Sequence, residues 1–284
     1  MSEPASQPAL RVLVGIDLTE RSRNAFARAV ELTRAPGASL TLLHVTSDAL
    51  PSAVASVHEK FAKEALGDLE ARARADGVEA TVRLVRGRDY EGLIDETREV
   101  ATDLVVIGTH RPSSFVQDML GTTADRMLRY GSVPVLLVRK PPAGPYASIL
   151  VAVDFSPASR RALEHAVRWF PQARISAVTA YTAPRRGDEG GTAAETRRLA
   201  LRGLLDEVGQ RLGPSLEASA ARIVPVVERG WPEDVIVRHA EETKSDLIVV
   251  GTHARAGLKQ AILGSVAAWV LTEAPCDVLA IPPE

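Results

Sequence analysis

Two glycines thirteen positions apart recur in this chain, Gly108 with Gly121-Thr122 and Gly251 with Gly264-Ser265. Each first glycine closes an apolar run, Asp103-Leu-Val-Val-Ile-Gly-Thr-His110 in one copy and Asp246-Leu-Ile-Val-Val-Gly-Thr-His253 in the other. A glycine where a buried strand ends, and another where a helix begins, are two places where backbone N–H groups can meet a phosphate. Two further apolar runs end on a carboxylate, Val12 to Asp17 and Ile149 to Asp154. An aspartate there can accept hydrogen bonds from a ribose hydroxyl or an amine edge. The plainer alternative is a turn or capping residue. Ser265 would add a hydroxyl and the dipole of the helix it opens, and it reads equally as an N-cap.

Other chemistry finds little support. The chain has no Gly-x-x-x-x-Gly-Lys-Ser/Thr for triphosphate and magnesium, no Gly-x-Gly-x-x-Gly, no His-Glu-x-x-His and no Gly-x-Ser-x-Gly. His110 and His253 lack a second histidine or cysteine at metal spacing and read as solvated loop residues. The single cysteine, Cys276, excludes an intrachain disulfide and reads as a small hydrophobe in the last strand. Trp169 and Trp269 read as packing, and Trp231, beside Pro232, as surface or a site wall.

The elements that must position these residues are themselves duplicated. Val12–Asp17 matches Ile149–Asp154 at an offset of 137, and from Gly87/Gly230 onward the offset is 143. The repeat predicts two domains, residues 1–144 and 145–284, with a boundary near Gly144 in the linker-like Arg139-Lys-Pro-Pro-Ala-Gly-Pro-Tyr146. Each half alternates short apolar runs with helical patterns, which predicts an α/β fold with a parallel sheet covered on both faces. Strands are expected near 11–17, 39–45, 80–87, 103–108 and 133–139, then 148–154, 174–181, 221–230, 246–251 and 276–282. Ser156-Pro157 reads as an N-cap with proline at the first helical position, ahead of a Leu163, Ala166, Val167, Phe170 stripe. Longer helices are expected at 52–75 and 195–212, the second preceded by a mobile loop at 183–192, and a short one at 265–272. If the first and fourth strands of each half are neighbours, their carboxyl ends bring the aspartates and strand-end glycines into one crevice.

A formal net charge of -2, with 45% hydrophobic and 25% charged residues, describes an ordinary globular protein with no basic excess for nucleic acid or an anionic membrane. The first residues do not resemble a secretory signal and no apolar run is long enough for a membrane span, so a cytoplasmic protein is expected.

Taken together these motifs resemble the universal stress protein family in a tandem, two-domain form covering almost the whole chain. Nucleotide-binding members of that family carry Gly-x-x-Gly, nine residues, then Gly-Ser or Gly-Thr, on a Rossmann-like, open five-stranded parallel sheet ordered 3-2-1-4-5. Here Gly251-Thr-His-Ala254, nine residues and Gly264-Ser265 match with alanine at the second glycine. Gly108-Thr-His-Arg111, nine residues and Gly121-Thr122 place arginine there. The resemblance puts the adenine-side aspartate at Asp17 and Asp154 and the adenine-lining position at Val45 and Ala180.

It implies a stress-response regulatory protein that binds ATP or a related adenine nucleotide, with or without magnesium, in the second domain, the first-domain site being degenerate. The alternative is a scaffold, or a binder of another small molecule, with remnant sites. Slow ATP hydrolysis is a minor reading, because no loop resembles that of adenylate-forming enzymes. The last strands, Val133–Val138 and Cys276–Ile281, are apolar and would lie at sheet edges, where backbone groups need covering. Relatives dimerise through that strand, so an intramolecular pseudo-dimer is expected, with a homodimer optional.

Overall fold

The computed structural model describes residues 9–109, 122–182, 191–252 and 263–283. The chain divides into two compact units that meet in sequence between Pro145 and Tyr146. The first contains β1 (Arg11–Gly15), α1 (Glu20–Leu32), β2 (Ser39–Ser47), α2 (Ser52–Ala75), β3 (Ala80–Gly87), α3 (Asp89–Glu99), β4 (Leu104–Gly108), α4 (Thr122–Tyr130) and β5 (Val135–Val138). Its strands pair in parallel in the order β3-β2-β1-β4-β5. The second contains β6 (Ser148–Ala152), α5 (Pro157–Trp169), β7 (Arg174–Tyr181), α6 (Gly191–Leu212), α7 (Pro214–Ala220), β8 (Val224–Arg229), α8 (Pro232–Glu242), β9 (Leu247–Gly251), α9 (Ser265–Glu273) and β10 (Asp277–Ile281). Its parallel order is β8-β7-β6-β9-β10. Each domain is therefore a doubly wound α/β sheet of order 3-2-1-4-5, with the first and fourth strands adjacent.

The apolar runs become strands because both faces of the sheet are covered by helices, so no alternation is required. Leu13, Val14, Val105 and Val106 are fully buried in one sheet, and Leu150, Val151, Ile248 and Val249 in the other. The first helix of each domain packs on the first and fourth strands, and the second helix on the second and third. In α5 the expected stripe is the packed one: Leu163, Ala166, Val167 and Phe170 are all buried. Ser156 caps that helix, its hydroxyl accepting from the Ser159 amide at 3.2 Å, with Pro157 at the first helical position.

Several readings need correction. The long helix of the second domain starts at Gly191, so residues 191 and 192 are helical rather than part of a loop; residues 183–190 lie outside the described residues. Between it and β8 runs α7, which the repeat did not predict and which has no counterpart among the described residues of the first domain. Tyr146 is core rather than linker, for its buried ring meets Phe170 edge-on at 5.4 Å and its hydroxyl donates to the buried Asp277 at 2.6 Å. Trp169 is buried as expected, whereas Trp269, read as packing, is 48% exposed. Trp231 is 65% exposed. Cys276 is buried just ahead of β10 and forms no disulfide.

Candidate functional site

Strand register decides which side chains meet at the carboxyl ends. In the second domain Val151 pairs with Val249 and Ala152 with Val178. Two residues further on, Val153 stands level with Gly251, and Asp154 level with Ala180. In the first domain Gly15 pairs with Leu43 and with Ile107, so Ile16 is level with Gly108, and Asp17 with Val45. The adjacency of first and fourth strands thus sets each aspartate, strand-end glycine and second-strand residue at neighbouring strand ends.

Each aspartate also shapes the turn into the helix that follows. Asp154 Oδ1 accepts from the Ser156 amide at 3.0 Å. Asp17 Oδ1 accepts from the Thr19 amide at 2.9 Å and the Thr19 hydroxyl at 2.6 Å. Burial works to raise the Asp17 pKa, but the Thr19 hydroxyl and amide, Ser22 and the nearby Arg21 outweigh it and hold the carboxyl below its ordinary range. The residue after each aspartate has a positive φ, 63° at Leu18 and 67° at Phe155. That conformation costs an L-residue roughly 1–2 kcal/mol and is retained in both copies, the behaviour of a turn that the surrounding fold enforces.

The strand-end glycines have a packing reason as well. A Cβ on Gly251 would lie 2.5 Å from the carbonyl carbon of Ala158, in the first turn of α5, and one on Gly108 would fall on the Arg21 carbonyl of α1. No side chain fits where helix backbone crosses strand end. The residue beyond each glycine is then drawn to the next strand, Thr252 N donating to Ile281 O and Thr109 N to Val138 O, both at 2.8 Å.

At α9 the structure separates two roles that sequence left merged. Gly264 is the N-cap residue and Ser265 the exposed first helical residue, so Ser265 is not the cap, and the cap residue has no side chain to offer. The Gly264 cap leaves the first-turn amides without the side-chain acceptor that Ser156 supplies to α5. In the first domain Thr122 is the first residue of α4. Ala254, Arg111, Gly121, His110 and His253 lie outside the described residues.

One residue near these strand ends was missed by sequence reasoning. Arg197 of α6 is half-buried, donates to the Thr179 hydroxyl at 3.4 Å, and holds its guanidinium carbon 5.9 Å from the centroid of the Phe155 ring. Its neighbour Arg198 pairs with Glu195 at 2.6 Å, while Arg197 has no carboxylate partner among the described residues. The run Glu195-Thr-Arg-Arg198 gives no signal of which arginine turns inward.

The first domain fills the corresponding place differently. Ala62 and Leu66 of α2 correspond to Leu201 and Leu205 of α6 as buried positions, which sets His58 against Arg197, and strand register sets His44 against Thr179. His44 is buried and its Nδ1 lies 2.7 Å from Ile16 O, so Nδ1 carries the proton. The His58 ring lies 5.2 Å from it, centroid to centroid. Among the described residues no group of three or more His, Cys, Asp or Glu side chains is placed to hold a metal ion. None of the described helices is long and apolar enough to cross a membrane.

Comparison with known proteins agrees with this geometry. The sequence profile of the universal stress protein family matches residues 9–139 and again 145–282. A universal stress protein of Mycolicibacterium smegmatis is 26% identical over 96% of this chain and 97% of its own length. One from Methanocaldococcus jannaschii is 31% identical over 48% of this chain and 82% of its own. The crystal structure of a universal stress protein from Archaeoglobus fulgidus shares the fold across both domains, with a TM-score of 0.76 at 20% identity, covering 96% of this chain and 98% of that one. Repeat, sheet order and strand-end register converge, and the chain belongs to the universal stress protein family, as a member with two copies of the family domain.

Proposed function

We propose that the second domain binds an adenine nucleotide, ATP or a close relative, and that occupancy alters a surface read by a protein partner during stress. The observation that carries this reading is the meeting of Asp154, Ala180 and Gly251 at adjacent strand ends. In such a crevice a carboxylate can hold an amine edge or ribose hydroxyl while glycine lets backbone approach phosphate. The uncapped amides of α9, beyond Gly264, suit the phosphates, with the Ser265 hydroxyl beside them. Ala254 occupies the second glycine of the family motif and weakens binding without abolishing it. In the first domain Arg111 stands there, followed by Pro112, and a residue before proline disfavours the tight turn that a glycine permits. Asp17, Val45, Gly108, Gly121 and Thr122 then form a site that binds weakly or not at all. Magnesium would accompany the nucleotide rather than a protein cage. No catalytic step is assigned.

The second reading, a scaffold or binder of another small molecule, is favoured by one observation: both aspartates already serve the turn that follows them. Gentle purification, acid release and chromatography separate the two. Adenine nucleotide travelling with the protein, or calorimetric binding of added ATP at one site per chain, supports the first. An empty protein that also ignores added ATP leaves the second.

A further inference from the structure

We propose that Arg197 recognises the base, stacking its guanidinium on the purine face and so setting a preference for purine nucleotides; this rests on the nucleotide reading of the second domain. A half-buried cation with no carboxylate partner among the described residues has given up solvation without an ionic return. Among the described residues it meets a hydroxyl, Thr179, and an aromatic ring, Phe155. That is an environment completed by an electron-rich ligand face rather than by protein.

Its place in the sheet decides which part of a nucleotide it meets. Thr179 lies on β7, one residue before Ala180 and beside β6, which ends toward Asp154. The phosphate-attracting amides open α9, in the connection from β9 to β10, on the other side of β6. β7 and β9 are two strand spacings apart, about 10 Å. A ligand whose phosphates sit at α9 therefore projects its base across Asp154 toward β7, where Arg197 waits. Guanidinium planes stack on π faces and remain charged at every physiological pH. The first domain has leucine at the Phe155 position and histidine at the Arg197 position, so neither the phenyl ring nor the guanidinium is repeated there.

The test is calorimetry on the full chain with ATP and CTP, comparing wild type with Arg197→Ala and Arg197→Lys. Loss of a stacked guanidinium should weaken ATP by about 3- to 30-fold and shrink the ATP-over-CTP preference by a similar factor. Lysine, a point charge without a plane, should restore only part of it. Equal weakening of ATP and CTP would make Arg197 a phosphate contact and overturn the proposal. So would unchanged ATP affinity, and a lowered melting temperature of the ligand-free variant would then mark the residue as structural. A wild-type chain that binds neither nucleotide would bring down the nucleotide reading itself and this proposal with it.

Discussion

The two crevices share a backbone and differ in what the second helix brings to them. At the same strand ends the first domain sets a histidine pair, His44 and His58, and the second sets Thr179 and Arg197 beside Phe155. The turn at the aspartate, its positive-φ successor and the side-chain-free strand end are common to both. The turn and strand-end features are thus repeated, while the side chains that the second helix and the positive-φ position bring to them have diverged. A duplicated fold keeps what packing requires at each copy and is free to change what only a ligand would notice.

The largest effect should come from breaking the shared part. Gly108→Ala and Gly251→Ala each drive a methyl into helix backbone, and overpacking of that kind costs typically 1–3 kcal/mol. Denaturant unfolding should show both variants destabilised to a similar degree. If Gly251→Ala lowered nucleotide affinity alone and left stability intact, the packing account of that glycine would fail.

Next come the ligand-side differences. Asp154→Ala should cost nucleotide binding roughly 1.5–3 kcal/mol, the worth of a charge-assisted hydrogen bond, and the ligand-free domain about 1 kcal/mol through the lost turn contact. Asp17→Ala should show the stability loss without a change in ATP titration. Two sites of equal affinity, or a single site abolished by Arg111→Ala instead, would reverse the asymmetry. Ala254→Gly should tighten ATP about 5- to 30-fold, if the loop needs a left-handed residue there.

Helix capping offers a smaller contrast. Ser156→Ala removes a true N-cap and should cost the second domain about 1 kcal/mol in thermal unfolding. Thr19, at the same place in the first domain, makes no side-chain cap and donates to Asp17 instead, so Thr19→Ala should act through the aspartate's acidity.

The smallest difference is one of pH. Asp103 is gripped by the Arg11 side chain, and despite some burial this holds its carboxyl below the ordinary range; the Arg11 amide helps. Its counterpart Asp246 accepts instead from the amides of Ala147 and Ser148. Since the folded pKa of Asp103 is depressed, its stabilisation is complete above the unfolded carboxylate pKa and drains away as pH falls through the folded one. Asp103→Asn should therefore lower first-domain stability at neutral pH, and the gap should close in acid. A gap that persisted unchanged in acid would show the ion pair contributes nothing.

Much of this was legible in residues that act locally. The helix expected over 52–75 spans those residues, and Ser156-Pro157 caps where its types said it would. The strand runs fall within a few residues of expectation, because the central parallel strands, covered on both faces, must be largely apolar. The duplicated motif pointed to the ends of the first and fourth strands, which the structure sets side by side in both copies. What sequence left open needed neighbours from far along the chain. Gly251 needs to be glycine because Ala158 crosses it, and Tyr146 joins the core because Phe170 and Asp277 receive it. Arg197 turns inward while Arg198 stays with Glu195, a choice made by Thr179 and Phe155. Periodicity tells a helix which face is dry, but which charged side chain enters a cleft depends on the element packed against it, and only the tertiary structure supplies that element.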